Sequence, residues 1–101
     1  MRRSEDSRFT RALGSELREH RKDRGLTQDQ LAELTRMSKS MISKIETGHP
    51  SGHNVVYLWH LSRGLRIPLA DLIYLTVRRL ARQDSTRSGL AARRRLATRR
   101  R

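Results

Sequence analysis

Residues 27–48, TQDQLAELTRMSKSMISKIETG, carry two helix-start signals eleven residues apart. A chain that honours both must make two short helices with a tight turn between them. Thr27 is a good N-cap, and Gln30 three residues on completes a capping box. Leu26 before the cap and Leu31 at the fourth helical position close a hydrophobic staple. Ser38 repeats the grammar, flanked by Met37 and Ile42 at the same spacing. Gly48 follows the last apolar residue as a C′ stop. The inward residues are Leu31, Ala32, Leu34 or Thr35, then Met37, Ile42 and Ile45. Ala32 supplies the small residue that a steep crossing of two helices needs.

The second helix turns Lys39, Ser40, Ser43 and Lys44 outward on one face, at i, i+1, i+4 and i+5. Lys39 lies in the first turn, where the helix dipole disfavours a cation. A residue placed against local preference points to a partner, and an anionic one fits.

On these residues the stretch resembles the helix-turn-helix of the lambda-repressor and Cro class, the XRE-type domain. The matching residues are Gln28, Leu31, Ala32, Ser38, Ile42, Ser43, Ile45, Glu46 and Gly48, in ungapped register. The resemblance runs from about Leu13 to Leu75, and I-S-x-I-E-x-G, Ile42 to Gly48, is its most specific part. It implies an all-α, five-helix domain. It also implies that Arg21 pairs with Glu46, a bidentate tie between first and third helices. One departure is visible: the family usually has Gly in the inter-helix turn, and this chain has Arg36. If that turn needs φ > 0, Arg36 costs roughly 1–2 kcal/mol.

Charge separates the chain into three parts. The net charge is +13. Residues 9–77 hold ten Lys/Arg against seven Asp/Glu, whereas residues 78–101 hold ten Arg against one Asp. A basic arm beside a near-balanced body suits a polyanion, and nucleic acid suits it better than a membrane because the arm lacks large apolar anchors. The division is therefore a flexible arm at 1–8, a helix-turn-helix domain at 9–81 and an Arg-rich tail at 82–101. The absence of cysteine excludes disulfides and thiol chemistry. No apolar run reaches the ~20 residues that span a bilayer, and no apolar signal segment opens the chain. The expected location is the cytoplasm, at the nucleoid.

The remaining helices follow from periodicity. The first runs from about Phe9 to Arg24, capped by Ser7 or Thr10, with Phe9, Leu13, Leu17 and His20 or Arg21 inward and Gly25 as its stop. HPSGH at 49–53 reads as a loop. Asn54 caps a fourth helix, about Val55 to Arg63, whose inward stripe is Val55, Leu58, Leu61, Ser62 and Leu65. Trp59 falls partly off that stripe, either covering the core edge or facing a partner. Pro68 suits N1 of a fifth helix that ends near Ala81. Leu69, Leu72, Ile73, Thr76, Val77 and Leu80 form its apolar face, with Tyr74 and Leu75 pointing elsewhere. That is more apolar surface than a domain this small readily hides, which makes Trp59, Leu69, Tyr74 and Leu75 a candidate dimer or partner face. In 82–101, Ser85 to Gly89 reads as a break, and the tail is expected to be disordered until it meets DNA.

A major groove admits one helix and exposes a distinct donor and acceptor pattern for each base pair. Lys39, Ser40, Ser43 and Lys44 supply short or flexible donors for that task. Thr27 and Gln28 stand at a helix N-terminus able to meet a phosphate, and resemblance adds His49, Ser51 and Asn54 to the phosphate contacts. No His is arranged with acids as a triad, so no enzyme is expected. His49 and His53 have a weak metal spacing without a third ligand, so no metal and no cofactor are expected. The reading is a sequence-specific, double-stranded DNA-binding transcriptional regulator, a repressor acting as a homodimer on a palindromic operator. Two rivals stand beside it. One is an antitoxin that binds a toxin and represses its own operon. The other is an architectural or coactivator protein that binds nucleic acid by charge alone; a toxin or polymerase is the protein partner considered.

Overall fold

The two start signals are both used. In the computed structural model, which describes residues 3–99, Thr27 accepts from Gln30 N–H at 3.1 Å and its own N–H donates to Gln30 Oε1 at 2.8 Å. Ser38 Oγ accepts from Met41 N–H at 3.0 Å. The elements are α1 (Arg3–Asp23), α2 (Gln28–Thr35), α3 (Lys39–Glu46), a 3-10 turn (Pro50–His53), α4 (Val55–Gly64) and α5 (Leu69–Arg99). The described residues contain helices and no strand, and no helix among them is long and apolar enough to cross a membrane.

Helix ends are set by repeated local chemistry. Gly25 and Gly48 adopt φ of 70° and 88°. At each, the next residue's N–H reaches back five positions: Leu26 to Arg21 O at 3.1 Å, and His49 to Lys44 O at 2.9 Å. These are Schellman stops. Ile67 N–H closes the same bond onto Ser62 O at 2.9 Å, but there the left-handed residue is Arg66, φ 55°. Arg36 ends α2 at φ 57°, so the inter-helix turn does require positive φ. Each arginine carries roughly 1–2 kcal/mol of strain that glycine would avoid.

The core is one cluster: Leu13 and Leu17 from α1, Leu31, Ile42 and Ile45, Leu58, Leu61 and Leu65, and Leu72 from α5. Two glycines let its helices approach closely. A Cβ on Gly14 would lie 2.5 Å from the carbonyl oxygens of Ile45 and Glu46, so α1 touches α3 backbone there. A Cβ on Gly64 would lie 2.7 Å from Thr35 Cγ2, where α4 meets α2. The close-approach role assigned to Ala32 is thus filled by Gly14 and Gly64, while Ala32 is half-buried at the core edge.

Several sequence expectations need correction. Helix α1 starts at Arg3, not Phe9, so most of the supposed flexible arm is helical. Thr10, rather than capping, donates to Asp6 O and Ser7 O as an interior residue. Arg8 bonds Asp84, tying this extra turn to α5. Helix α5 does not end at Ala81; it continues through Ser85–Gly89 to Arg99. The segment has no proline, and Ala, Leu and Arg propagate a helix once it is nucleated on a packed one. That corrects the expected break at Ser85–Gly89. Val55 and Val77, assigned inward, are at least half exposed. Leu34 yields its inward slot to Thr35, whose hydroxyl donates to Leu31 O at 2.7 Å.

Helix α5 is fastened to α1 by charge as well as packing. Arg79 meets Glu16 at 3.0 Å and Glu19 at 2.6 Å. The Glu19 hydrogen bond is the main reason its pKa lies above the ordinary arginine value. By linkage that contribution is fully present below the ordinary arginine pKa, so it is constant across the neutral range.

Candidate nucleic-acid interface

The site is built on the two short helices, and its geometry is set from behind. Arg21 Nε donates to Glu46 Oε2 at 2.7 Å and Nη2 to Oε1 at 3.0 Å. Its remaining Nη1 donates to Leu26 O at 2.8 Å. The resemblance-derived pair is therefore present as a buried bidentate contact, with side chains 10% and 4% exposed. A third group joins it, which sequence reasoning placed only in general terms. Gln28 Nε2 donates to Glu46 Oε1 at 3.1 Å. One carboxylate thus unites the C-terminal part of α1, the N-terminus of α2 and the last turn of α3.

This has a consequence for Gln28. Its side chain, offered from sequence to a phosphate, is spent on Glu46. What remains is its backbone. Thr27 caps the Gln30 N–H, while Gln28 and Asp29 at the first two helical positions have no intrahelical acceptor for their own N–H groups. These amides border a shallow recess of about 490 Å³ lined also by Arg21, Lys22 and Lys39. An anion entering it would meet the positive end of a helix with two lysines nearby. Lys22 was missed from sequence because it lies on α1, outside the two-helix pattern.

The outward face of α3 is open. Ser40 and Lys44 are exposed and Ser43 is half-buried. None of the three side chains makes a hydrogen bond among the described residues. Lys39 is 58% exposed and reaches Asp29 Oδ2 at 3.4 Å. Asp29 in α2 thereby offsets the unfavourable cation at the start of α3, a contact that spacing did not reveal. Thr47 continues the face, but its hydroxyl donates to Ser43 O and Lys44 O.

The loop residues are occupied locally. His49 Nδ1 accepts from Ser51 N–H at 3.1 Å and lies 2.8 Å from Ser51 Oγ. Asn54 Oδ1 accepts from Val56 and Tyr57 N–H, capping α4. These three side chains shape the 3-10 turn and the start of α4. On the opposite flank, Trp59 is 46% exposed with Arg63 stacked 4.7 Å from its ring. Trp59 therefore belongs to the surface rather than the core edge. Tyr74 is exposed on α5, while Leu69 and Leu75 are half-buried.

Residues 12–71 match the family described as a helix-turn-helix domain. Over 65 residues the chain is 36% identical to the HTH-type transcriptional regulator SutR of Escherichia coli strain K12, a stretch covering 64% of this chain and 36% of SutR. The chain thus spans about a third of the length of that relative. A crystal structure of the clp gene regulator ClgR from Corynebacterium glutamicum superposes with a TM-score of 0.74 at 27% identity, covering 83% of this chain and 88% of that one. A second ClgR structure gives a TM-score of 0.62 at 30% identity over 68% of this chain and 88% of that one.

Proposed function

The chain belongs to the helix-turn-helix domain family, and from that premise we propose that it is a sequence-specific DNA-binding transcriptional regulator in the cytoplasm. The observation that carries the reading is the outward side of α3. Lys39, Ser40, Ser43 and Lys44 share one open face, while Ile42, Ile45 and Glu46 hold the helix from behind. Lysine donates to guanine O6 and N7 and serine serves either role. The recess at Thr27 and Gln28 takes a backbone phosphate through main-chain amides, fixing the register of the reading helix. His49, Ser51 and Asn54 contribute to backbone contact through the atoms their capping roles leave unused.

The acting species is a homodimer on a palindromic operator, with half-sites roughly 34–36 Å apart. Supporting this, α5 presents Tyr74 and Val77 to solvent and extends to Arg99, well past the body it packs on. The Arg-rich segment neutralises phosphates without reading sequence. Repression by occluding polymerase is the simplest output.

Selection of bound sites from a random DNA pool tests the reading. Enrichment of one palindromic motif is expected, preferred over random DNA by ~10³ or more. The variant Lys39→Ala/Ser43→Ala should fold normally and lose preference at the bases those residues read. Enrichment of no motif would instead favour the charge-driven architectural alternative.

A further inference from the structure

Three helices end on one side of this molecule. The C-terminal ends of α1, α2 and α4 converge around a groove of about 930 Å³. Four arginines line it, Arg24, Arg36, Arg63 and Arg66, and no Asp or Glu does. None of the four is ion-paired with a carboxylate among the described residues. Between them lie Leu34 and Val56, both more than half exposed. The body holds ten Lys/Arg in residues 9–77, so four of its ten cations face one groove.

A cation beside a helix C-terminus is favoured by the dipole, and that accounts for Arg24 and Arg63. It favours a cation at Arg36 and Arg66 too, but does not explain why arginine stands there in place of glycine. Both occupy left-handed backbone, where glycine sits without strain, as Gly25 and Gly48 do. Among the described residues these two are the non-glycine positive-φ positions, both are arginine, and both line this groove. Strained backbone persists where a partner makes the side chain worth holding.

We propose that this groove is a docking site for an acidic, amphipathic peptide segment of a partner protein. The arginines select acid, and the exposed Leu34 and Val56 select a segment with an apolar face. An open groove of this kind suits a segment of chain better than a small anion, which binds in an enclosing cavity. A second copy of this body would bring like charge to the arginines. The groove adjoins the recess at the α2 N-terminus through Leu26, which lines both, and opens toward the other end of α2. Arg36 and Thr27 stand at opposite ends of α2, about 13–14 Å apart along its axis. The proposal rests on the groove's own lining and does not depend on the DNA reading.

The test uses the full chain and two fluorescein-labelled helical peptides. One is built of Glu and Leu with Leu at i and i+4; its companion has the same Glu and Ser for Leu. Anisotropy at physiological salt should show the Glu/Leu peptide binding roughly tenfold tighter than its companion. The variant Arg36→Gly/Arg66→Gly should retain its helical circular dichroism and bind both peptides severalfold more weakly. Val56→Gln, an exposed change outside the turns, should weaken the Glu/Leu peptide severalfold. Equal binding of the two peptides would overturn the proposal, because charge in the Arg-rich segment would then suffice. Undiminished binding of the Glu/Leu peptide by both variants would overturn it too. So would sedimentation showing that Val56→Gln disrupts a dimer while peptide binding is unchanged.

Discussion

The two ends of α2 are built on opposite terms. At its N-terminus Thr27 is in a reciprocal capping box, Gln28 is bonded to Glu46, and Glu46 is bonded to Arg21. At its C-terminus Arg36 is held at positive φ, Leu34 is 60% exposed, and the surrounding arginines face no carboxylate. The first end is satisfied from within and shaped before any partner arrives. The second is left unsatisfied. Reading base edges needs donors fixed to within a fraction of an ångström, which a cross-braced frame provides. Holding an adaptable peptide needs charge and apolar surface more than fixed geometry.

Breaking the braced end should have the largest effect. Glu46→Ala strips a nearly buried carboxylate from Arg21 and Gln28, leaving a buried guanidinium unpaired. A loss of about 3–5 kcal/mol is expected, measured by urea denaturation, with DNA affinity falling most on the selected operator. A loss below about 1 kcal/mol would mean that packing alone holds α3 in place.

The glycine crossings sharpen the comparison at the next scale. Gly14→Ala drives a methyl into the carbonyl oxygens of Ile45 and Glu46, atoms that cannot rotate away. Gly64→Ala meets the side chains of Thr35 and Leu31 instead. Overpacking costs typically about 1–3 kcal/mol; Gly14→Ala belongs at the top of that range and Gly64→Ala at the bottom. Thermal melts of both would check the ordering.

These crossings also mark where sequence reading stops. Caps, staples and stops were legible at Thr27, Gln30, Ser38, Gly25 and Gly48, because each is written within five residues. The apolar stripe of α1 and the Leu58–Leu61–Ser62–Leu65 stripe of α4 were legible from their period. Which residue lies under a crossing depends on how two helices meet, and no local spacing encodes that, so Ala32 was preferred to Gly14. Val55 and Val77 fit their stripes, yet both lie at least half exposed, because the period gives a face and not how much of it a neighbour covers. For the site, the α3 face follows from position in the helix. The Gln28–Glu46 and Lys39–Asp29 contacts are tertiary and have no local signature. The continuation of α5 past Ala81 depends on its packed first half.

Relieving the strained end should stabilise it. In Arg36→Gly and Arg66→Gly, relief of about 1–2 kcal/mol of left-handed strain is partly offset by the ~0.5–1 kcal/mol entropy penalty of glycine. Each substitution should raise stability by about 0.5–1 kcal/mol in chemical denaturation. A destabilised variant would show that the arginine side chain itself holds the turn.

The smallest effect probes the boundary between the ends. Asp29 and Lys39 are 70% and 58% exposed and 3.4 Å apart. A pair so open to solvent is screened and adds less than about 1 kcal/mol, so Asp29→Asn should leave the melting temperature nearly unchanged. Its effect on DNA is of another kind. Asp29 places a negative charge beside the recess at the α2 N-terminus, where the proposed phosphate sits, and draws Lys39 back from the groove it would enter. Removing that charge should tighten binding a fewfold on all sequences and steepen the salt dependence, as expected when one more cation becomes free to neutralise phosphate. Weaker binding confined to the selected operator would give Asp29 the opposite role. It would then be aiming Lys39 at a base, and the bracing of the N-terminal end would extend one residue further than the buried carboxylate alone accounts for.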